Sequence, residues 1–342
     1  MNYNEKVISP DLFEPAHVDS SKSEKIAKPS LTFWQDAWLR VRKNRGAVIS
    51  LVITALLAIM AFVGPLMTPY AYDTQNTKNS DLPPRVQGLE HISWLPFEGT
   101  LKMRDGRTIH PYETGNVKEY YWFGTDTLGR DLFARIWKGT QISLWIAFIA
   151  AIIDMVIGVA YGAISGYVGG RVDSVMQRIL EVLVGIPNLI IVVLMILVLK
   201  PGIIPIIIAI SITGWISMAR VVRAQVLKLK NQEFVLAAKT LGASDFSIIF
   251  KHMIPNMFGM IIINTMFSIP NAIFFEAFLS FIGLGLQEPN ASLGTLINDG
   301  FQSMQAYPYQ MVIPAIMISV IMVAFNLIAD GLRDALDPKM RD

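Results

Sequence analysis

Six long runs of mostly apolar residues constrain this chain more than any motif in it does. An α-helix needs about 20 such residues to cross the hydrocarbon core of a membrane. The runs lie near Ala47–Met67, Ile142–Ile164, Ile179–Leu199, Pro201–Ala219, Asn256–Leu279 and Met311–Ala329. Helices fit segments of this length better than barrel strands do. The sequence therefore predicts an all-α, polytopic membrane protein with six transmembrane helices.

Composition agrees with a membrane protein and excludes other classes. Hydrophobic residues make up 53% of the 342 residues, and charged residues make up 16%. The net charge of +2 is too small to indicate nucleic-acid binding, and the basic residues gather beside the apolar runs rather than on one soluble face. The chain has no cysteine, so it offers no disulfide framework or thiolate site.

Basic residues beside the first span (46–67) predict how the chain is oriented. Residues 1–45 are expected to be a cytoplasmic tail, disordered to about residue 30 and then an amphipathic helix on the inner membrane surface. Four basic residues between Arg40 and Arg45 precede the first span. By the positive-inside rule they place the N-terminus in the cytoplasm, and six spans return the C-terminus to the same side.

Two regions lie outside the predicted spans. Residues 68–138 form a long extracytoplasmic loop, which is expected to be a structured cover over the helix ends or a small subdomain that touches a partner; the cover is the preferred interpretation. Residues 139–342 carry the other five spans and a polar stretch, residues 231–255, that the predicted topology places in the cytoplasm.

The polar stretch 231–255 reads as two short helices joined at Gly242, a natural helix stop. Apolar residues recur at helical spacing in the first helix: Phe234, Ala237, Ala238 and Leu241. Ser244 or Asp245 can cap the second helix, and Pro255 opens the next apolar run. Such a pair can fit a groove on a partner or be a plain cytoplasmic loop, and periodicity alone leaves both open.

Small and acidic residues stand out inside the second and fifth spans. Glycines recur every fourth residue, at Gly158, Gly162, Gly166 and Gly170, a spacing typical of close helix contact. Asp154 lies one turn before them, and an acid at this depth costs about 2.5–3.5 kcal/mol on insertion scales. It could bind a substrate amine, relay a proton or hydrogen-bond a neighbouring helix. The hydrogen bond is preferred, for Asp154 and for Glu276 in the fifth span, because no second acid or histidine accompanies either.

Four prolines fall inside predicted spans and are expected to interrupt them: Pro187, Pro205, Pro270 and Pro314. Bent helices of this kind can line a pathway. Taken alone, the prolines are a weak signal, because they are common in membrane helices.

No catalytic, metal or nucleotide site is visible in the sequence. Residues 124–131 have two glycines at phosphate-loop spacing, but Arg130 and Asp131 follow where such a loop needs Lys and then Ser or Thr. The four histidines are scattered, and neither His-Glu-x-x-His nor Gly-x-Ser-x-Gly occurs. Any ATP-driven work must therefore be done by another chain.

Residues 233–255 resemble the EAA loop of ABC importer permeases, whose pattern is Glu-Ala-Ala, three residues, Gly, nine residues, Ile-x-Leu-Pro. The matching positions are Ala237, Ala238, Gly242 and Pro255. Leu236 stands where the pattern has Glu, and His252 and Ile254 replace Ile and Leu. Glu233 lies one turn before the missing carboxylate.

Three further stretches narrow the resemblance. Residues 123–131, 276–285 and 330–338 look like the dipeptide and oligopeptide permeases, and the match is closest to the C-type oligopeptide permeases. The resemblance covers residues 31–75 and 122–342. Residues 77–118 look like an insertion relative to shorter members.

The resemblance implies a non-enzymatic subunit of a peptide importer in the bacterial plasma membrane. Such importers pair two permease subunits, bind ATP and Mg on two cytoplasmic ATPases, and receive peptide from an extracytoplasmic binding protein. The EAA loop is the family's docking element for one ATPase, so we expect Ala238 and Gly242 to make that contact. Dipeptide or nickel-type import is the nearest alternative. A self-gated ion channel and a membrane-embedded hydrolase are the alternatives from other classes.

Overall fold

The structure, a computed structural model, describes residues 33–90, 92, 95–102, 106–199 and 202–336. The predicted disordered tail of residues 1–30 lies outside the described residues, as do residues 337–342 at the other end. Within the described part the chain is mostly helical, as predicted. The exception to the all-α class is one small hairpin, in which β1 (Leu101–Lys102) pairs antiparallel with β2 (Thr108–Ile109).

The helices follow one another with short connections after the long first loop. In chain order they are α1 (Phe33–Lys43), α2 (Arg45–Val63), α3 (Pro111–Thr114), α4 (Leu132–Val168), α5 (Gly170–Gly185), α6 (Asn188–Leu199), α7 (Ile203–Leu229), α8 (Glu233–Thr240), α9 (Asp245–Ser247), α10 (Ile254–Phe281), α11 (Leu293–Ser303) and α12 (Tyr309–Leu336). A π-helical turn, Ile248–Met253, joins α9 to α10 without a break, and 3₁₀ turns occur at Gly64–Leu66 and Thr77–Asn79.

Five of the six predicted spans are single helical segments long and apolar enough to cross a membrane: α2, α4, α7, the α9–α10 segment and α12. The third is not. The predicted helix Ile179–Leu199 is instead the pair α5 and α6, bent by 80°. Pro187 explains the break, because it has no amide hydrogen and disfavours helical backbone in the residue before it. Ile186 accordingly has extended backbone, with φ −89° and ψ 120°.

The other three prolines do not interrupt their helices. Pro205 lies in the first turn of α7, where a missing amide hydrogen costs nothing. Pro270 and Pro314 lie inside α10 and α12, which continue past them. The prediction of interrupted spans is therefore right only at Pro187.

The second membrane helix begins earlier than its apolar run does. Helix α4 starts at Leu132, so the end of the predicted loop 68–138 is already helical. The side chain of Asp131 accepts hydrogen bonds from the amides of Phe133 (3.4 Å) and Ala134 (3.1 Å), which is the usual function of an N-cap.

The region between α2 and α4 has a small core of its own. Leu82, Tyr112 and Tyr121 are buried together. The Tyr112 hydroxyl donates to the carbonyl of Pro83 (2.8 Å), and Asn79 donates to the Tyr121 hydroxyl (3.0 Å). These contacts tie the predicted insertion, residues 77–118, to the segment leading into α4. That this region covers the helix ends stays a prediction, with contact to a partner as the alternative.

Helices α4 and α7 pack closely along the predicted glycine series. A Cβ atom on Gly158 would lie 2.6 Å from the Cβ of Met218, and one on Gly166 would lie 2.9 Å from the carbonyl oxygen of Arg223. Only a glycine surface lets the two backbones approach this far. Gly170 is the exception, because nothing lies within 4 Å of its Cβ position and its φ of +57° serves the turn into α5.

Both ends of the described chain meet on one side of the helix bundle. The buried face of α1, at Val41, packs with Ala47 of α2 and Ala335 at the end of α12. The side chain of Leu336 lies 3.5 Å from the Cβ position of Gly259, in the second turn of α10. The stretch 231–255 therefore lies on the same side as α1 and the end of α12.

Candidate coupling loop and membrane cavity

The stretch 231–255, the coupling loop from here on, has the predicted two-helix form. Helix α8 ends in a Schellman motif, in which Gly242 donates to the carbonyl of Lys239 and Ala243 to that of Ala238, both at 3.0 Å. Gly242 has φ +81°, a conformation that favours glycine. Ser244 caps the second helix by accepting from the amide of Ser247 (3.3 Å).

Helix α8 divides its apolar residues between a buried side and an exposed side. Its buried residues are Val235 and Ala238, which pack against Ile248 and Met253 of the π-helical turn. Two members of the apolar series noted in the sequence, Phe234 and Leu241, are 39% and 87% exposed. The inner face of α8 thus holds the loop together, and its outer face is free in this chain.

Ala238, which is expected to make the partner contact, is mostly covered within this chain, and its contact with a partner stays a prediction. It is 9% exposed and belongs to the cluster beneath α8, so a large charged residue there would disrupt the loop itself. Ala237 and Gly242 are exposed, as are Glu233 at the start of α8 and Pro255 in the first turn of α10. A contact of Gly242 with a partner stays a prediction.

Five large apolar side chains of the coupling loop point outward: Phe234, Leu236, Leu241, Phe246 and Phe250. We call them the exposed apolar set. The rings of Phe246 and Phe250 lie 4.3 Å apart. Glu233 lies three residues before Leu236, so the two are neighbours on one side of α8, and the carboxylate borders the apolar set.

Polar contacts attach the coupling loop to the membrane helices. The hydroxyl of Tyr167, at the end of α4, donates to Asp245 (2.6 Å). Lys230, directly after α7, donates to the carbonyl of Tyr167. A bidentate ion pair between Arg223 and Asp173 (2.5 and 2.6 Å) joins α7 to α5. A displacement of the coupling loop would therefore be transmitted directly to α4 and α7.

A polar cavity of about 250 Å³ lies between the membrane helices. It is formed by α4, α7, α10 and the first residue of α6. Its polar lining residues are Asp154, Asn188, Thr213, Ser217, Asn264, Ser268 and Asn271. Phe267 and Phe275 add two aromatic rings.

Asp154 does not form the predicted hydrogen bond through its Oδ1 atom. That atom is buried without a hydrogen-bond partner among the described residues, and the whole residue is 4% exposed. The carboxylate lies directly against Gly214 of α7, where a Cβ atom would come within 2.5 to 2.8 Å of it. Gly214 therefore provides the space that the acid occupies.

Glu276 differs from Asp154, because it is hydrogen-bonded on both oxygens. It accepts from Ser143 of α4 (2.9 Å) and from Ser280 in its own helix (2.8 Å). The first of these is the interhelical hydrogen bond expected from the sequence. A buried acid with such donors holds two helices together without needing a ligand.

Sequence reasoning missed most of the cavity. Asn264, Ser268 and Asn271 recur at i, i+4 and i+7 on α10, and Thr213 and Ser217 at i and i+4 on α7. A polar stripe at helical spacing on an otherwise apolar span was the available signal.

The motif at residues 124–131 has a structural function. Thr125 is fully buried, and its hydroxyl accepts from the amide of Leu82 (2.8 Å) and donates to the carbonyl of Asn79 (2.6 Å). Gln310 of α12 donates to the carbonyl of Thr125 (3.0 Å). The motif thus joins the first loop to the start of α12.

Two buried arginines form an ion-pair cluster beside this motif. Arg130 pairs with Asp126 (2.6 Å) and Glu288 (2.8 Å), and Arg135 lies 3.7 Å from Asp299. Within the motif, Asp126 is therefore an ion-pair partner of both arginines.

Asp131 should make the stability of this region depend on pH. Burial raises the pKa of its carboxyl from 3.8 to about 6, against the lowering effect of hydrogen bonds from Ala134, Thr68 and Phe133. Because the pKa is raised on folding, the neutral acid favours the folded state below about pH 4, and this contribution is lost as the pH rises through about 6. Asp131→Asn stays neutral and keeps an acceptor for the cap.

We therefore expect wild type to lose up to roughly 3 kcal/mol of unfolding free energy relative to Asp131→Asn between about pH 4 and pH 7. Thermal unfolding of both purified proteins across this range measures the difference. A difference that stays constant with pH would contradict the assignment.

Two family models match separate parts of the chain. Residues 158–342 match the family described as "Binding-protein-dependent transport system inner membrane component". Residues 32–84 match the "N-terminal TM domain of oligopeptide transport permease C". Among the described residues, no group of three or more His, Cys, Asp or Glu side chains is placed to hold a metal ion.

Individual relatives are similar over at least 90% of their length. The oligopeptide transport system permease protein OppC of Bacillus subtilis (strain 168) is 44% identical over 98% of this chain and 99% of that protein. The dipeptide transport system permease protein DppC of Lactococcus lactis subsp. cremoris is 46% identical over 94% of each chain. DppC of Bacillus subtilis is 43% identical over 94% of this chain and 90% of that protein.

These matches confirm the resemblance to peptide permeases and the assignment to a bacterial inner membrane. The chain belongs to the family of binding-protein-dependent transport system inner membrane components.

Proposed function

We propose that this chain is one permease subunit of an ATP-driven importer of peptides, oligopeptides in particular. The observation that carries the proposal is the exposed apolar set on the coupling loop. An apolar surface of this kind on the polar side of a membrane protein marks an interaction site. In the family whose pattern residues 233–255 resemble, this loop docks a cytoplasmic ATPase that binds ATP and Mg.

Contacts at the chain ends support six crossings with both termini in the cytoplasm. Helix α1 precedes the first span, and it contacts the C-terminal end of α12, which is the last span. The two ends of the membrane domain therefore lie on the same side, so the chain crosses the membrane an even number of times. The bent pair α5 and α6 then counts as one crossing. Basic residues at Arg40–Arg45 favour the cytoplasm for this side.

A sibling permease is the expected cover for the open side of the cavity. Ser217 and Asn271 lie within spans and are exposed in this chain. Polar side chains at membrane depth face a protein neighbour or a water-filled path rather than lipid. Two permeases that face each other across such cavities would enclose the peptide pathway, and an extracytoplasmic binding protein would deliver the peptide.

Nucleotide-driven closure of the two ATPases would move the coupling loop. Through Tyr167, Lys230 and the α4–α7 contact, that movement would rock the helices that line the cavity. This is an alternating-access scheme, in which the chain needs no catalysis of its own.

The test is a purification of the tagged chain from native membranes. We expect a second permease and two ATPases to co-purify, and the ATPase rate of the complex to rise when peptide-loaded binding protein is added. Recovery of the chain without any ATPase would contradict the proposal. Ion currents from this chain alone in a planar bilayer would favour a channel, and substrate turnover in detergent without partners would favour a hydrolase.

Cargo length needs a separate measurement, because the dipeptide and oligopeptide relatives are about equally similar to this chain. Competition of labelled tripeptide uptake by dipeptides and by pentapeptides ranks the two classes. We expect the pentapeptide to compete at least as well as the dipeptide, and the reverse order would favour the dipeptide importer.

A further inference from the structure

We propose that the membrane cavity of this chain is a binding site for a primary ammonium group of the transported peptide, with Asp154 as its counter-charge. The inference rests on the proposed function, because it names a recognition site on the peptide pathway. The ammonium can be the amino terminus or the side chain of a lysine, and the experiment below separates the two sources.

The unpartnered carboxylate is the first step of the argument. Asp154 lies well inside the α4 span, is 4% exposed and lines the cavity, yet its Oδ1 atom has no hydrogen-bond partner among the described residues. A charged carboxylate that is buried without a partner is strongly unfavourable, so a cation that reaches Asp154 would stabilise its charged form. Glu276 is the comparison within the chain, since two serines satisfy it.

The chemistry of the remaining lining fits an ammonium on a peptide. Asn188, Thr213, Ser217, Asn264, Ser268 and Asn271 provide amide and hydroxyl groups. These are neutral donors and acceptors, as the backbone that follows an amino terminus requires. Phe267 and Phe275 present aromatic rings, which also attract cations. Asp154 is the only acidic residue in this lining, and the lining contains no basic residue.

Cavity size restricts how much of the peptide enters. Sites for whole drug-sized molecules are typically about 300–1,000 Å³, whereas this cavity holds about 250 Å³. It therefore takes the ammonium and the residue that carries it, with the rest of the peptide outside. A site of this kind recognises one group of the peptide and does not restrict the length or sequence of the rest.

Gly214 supports the assignment from the opposite helix. A side chain at this position would collide with the Asp154 carboxylate, because even a Cβ atom would come within 2.5 Å of it. The glycine keeps α7 close to the acid without covering the cavity.

The test labels the purified importer complex in lipid nanodiscs with three photoreactive peptides. Each carries a diazirine in its first side chain: a free-amine tripeptide, its N-acetyl form, and an N-acetyl tripeptide with lysine at position two. Mass spectrometry then maps the labelled residues. We expect the free-amine peptide to label residues 210–218 or 264–275 at least tenfold more than the N-acetyl form does.

The lysine peptide identifies the source of the ammonium. Labelling near that of the free-amine peptide means that the site accepts any primary ammonium, and labelling near that of the plain N-acetyl peptide means that it requires the amino terminus. Either result supports the proposal. Equal labelling by all three peptides, or labelling by the free-amine peptide elsewhere in the complex, overturns the proposal. This test uses only the wild-type protein, so it does not depend on whether a variant folds.

Two matched variants test whether Asp154 is the residue that distinguishes the free-amine peptide from the N-acetyl peptide. Asp154→Asn should bring the ratio of free-amine to N-acetyl labelling close to one and lower tripeptide uptake at least tenfold, with the ATPases still co-purifying. Glu276→Gln also removes a buried acid, but outside the cavity, and should keep the ratio. An unchanged ratio in Asp154→Asn would overturn the proposal.

Failure of the inference differs from failure of the proposed function. Cells whose wild-type importer takes up no peptide would contradict the function itself. Cells that take up peptide, with a complex that does not distinguish the three probes, would contradict only the ammonium site.

Discussion

Replacing Gly162 by leucine should leave almost no folded permease in the membrane. A single Cβ atom at this position would overlap the carbonyl oxygen of Ala219 and lie 2.9 Å from the Cβ of Val222 and 3.0 Å from the backbone nitrogen of Arg223. Two of these three neighbours are backbone atoms, so no side-chain rotation relieves the overlap. Leucine adds three further carbons and must push α4 away from α7.

The expected effect is large because these two helices share the most extensive contact between any two described elements. Overpacking a core typically costs about 1–3 kcal/mol, and separating two backbones costs more. Stabilities of folded proteins are only about 5–15 kcal/mol. We expect at least a tenfold fall in full-length protein in the membrane fraction, measured by immunoblot.

Gly185 supplies the matched control. It ends α5, and nothing lies within 4 Å of its Cβ position. Gly185→Leu makes the same substitution without a collision, so this variant should accumulate near the wild-type level. Equal accumulation of the two variants would contradict the assignment of Gly162 to helix contact.

The difference between the two glycines illustrates what the sequence reveals. Apolar runs located five spans, because length and hydropathy are local properties of a helix in lipid. The four-residue glycine period likewise predicted a contact, since it repeats on one side of a helix. Neither pattern specifies the partner helix, and the identification of α7 required the structure.

The coupling loop shows where periodicity fails. Residues from Phe234 to Ala238, and Leu241, are all apolar, so a short helix made from them has no distinct apolar face. Its buried side is decided by Ile248 and Met253, which belong to the following helical segment. Periodicity therefore predicted the two helices and their break at Gly242, but it did not specify which apolar residues of α8 are buried within the chain.

The start of α4 was also not predicted from the sequence, because the segment contains charged residues. Arg135 and Lys138 make the segment after Leu132 look like a loop, yet Arg135 is 1% exposed. Its charge is balanced by Asp126 and Asp299, the second of which is far away in sequence. The cavity was missed for a similar reason. Its lining residues come from four helices, and Asp154 was the only one of them that stood out in the sequence by itself.

Replacing Leu241 by aspartate should abolish association with the ATPases and peptide uptake while the permease itself stays folded. Leu241 is 87% exposed, so the aspartate lies in solvent in the free chain and disturbs none of the buried contacts of α8. In the proposed complex the same position is covered by the ATPase. An unpaired charge buried at such an interface costs several kcal/mol, and a loss of about 4 kcal/mol weakens binding roughly a thousandfold.

Ser174→Asp is the charge-matched control, because Ser174 is exposed near the start of α5, on the same side of the bundle and outside the coupling loop. It should co-purify with the ATPases as wild type does. A third variant, Ala238→Arg, separates docking from loop integrity: since Ala238 is packed beneath α8, this variant should lower the thermal stability of the purified permease, whereas Leu241→Asp should not. Normal uptake by Leu241→Asp would mean that the ATPase docks elsewhere, and the exposed apolar set would then lose its proposed function.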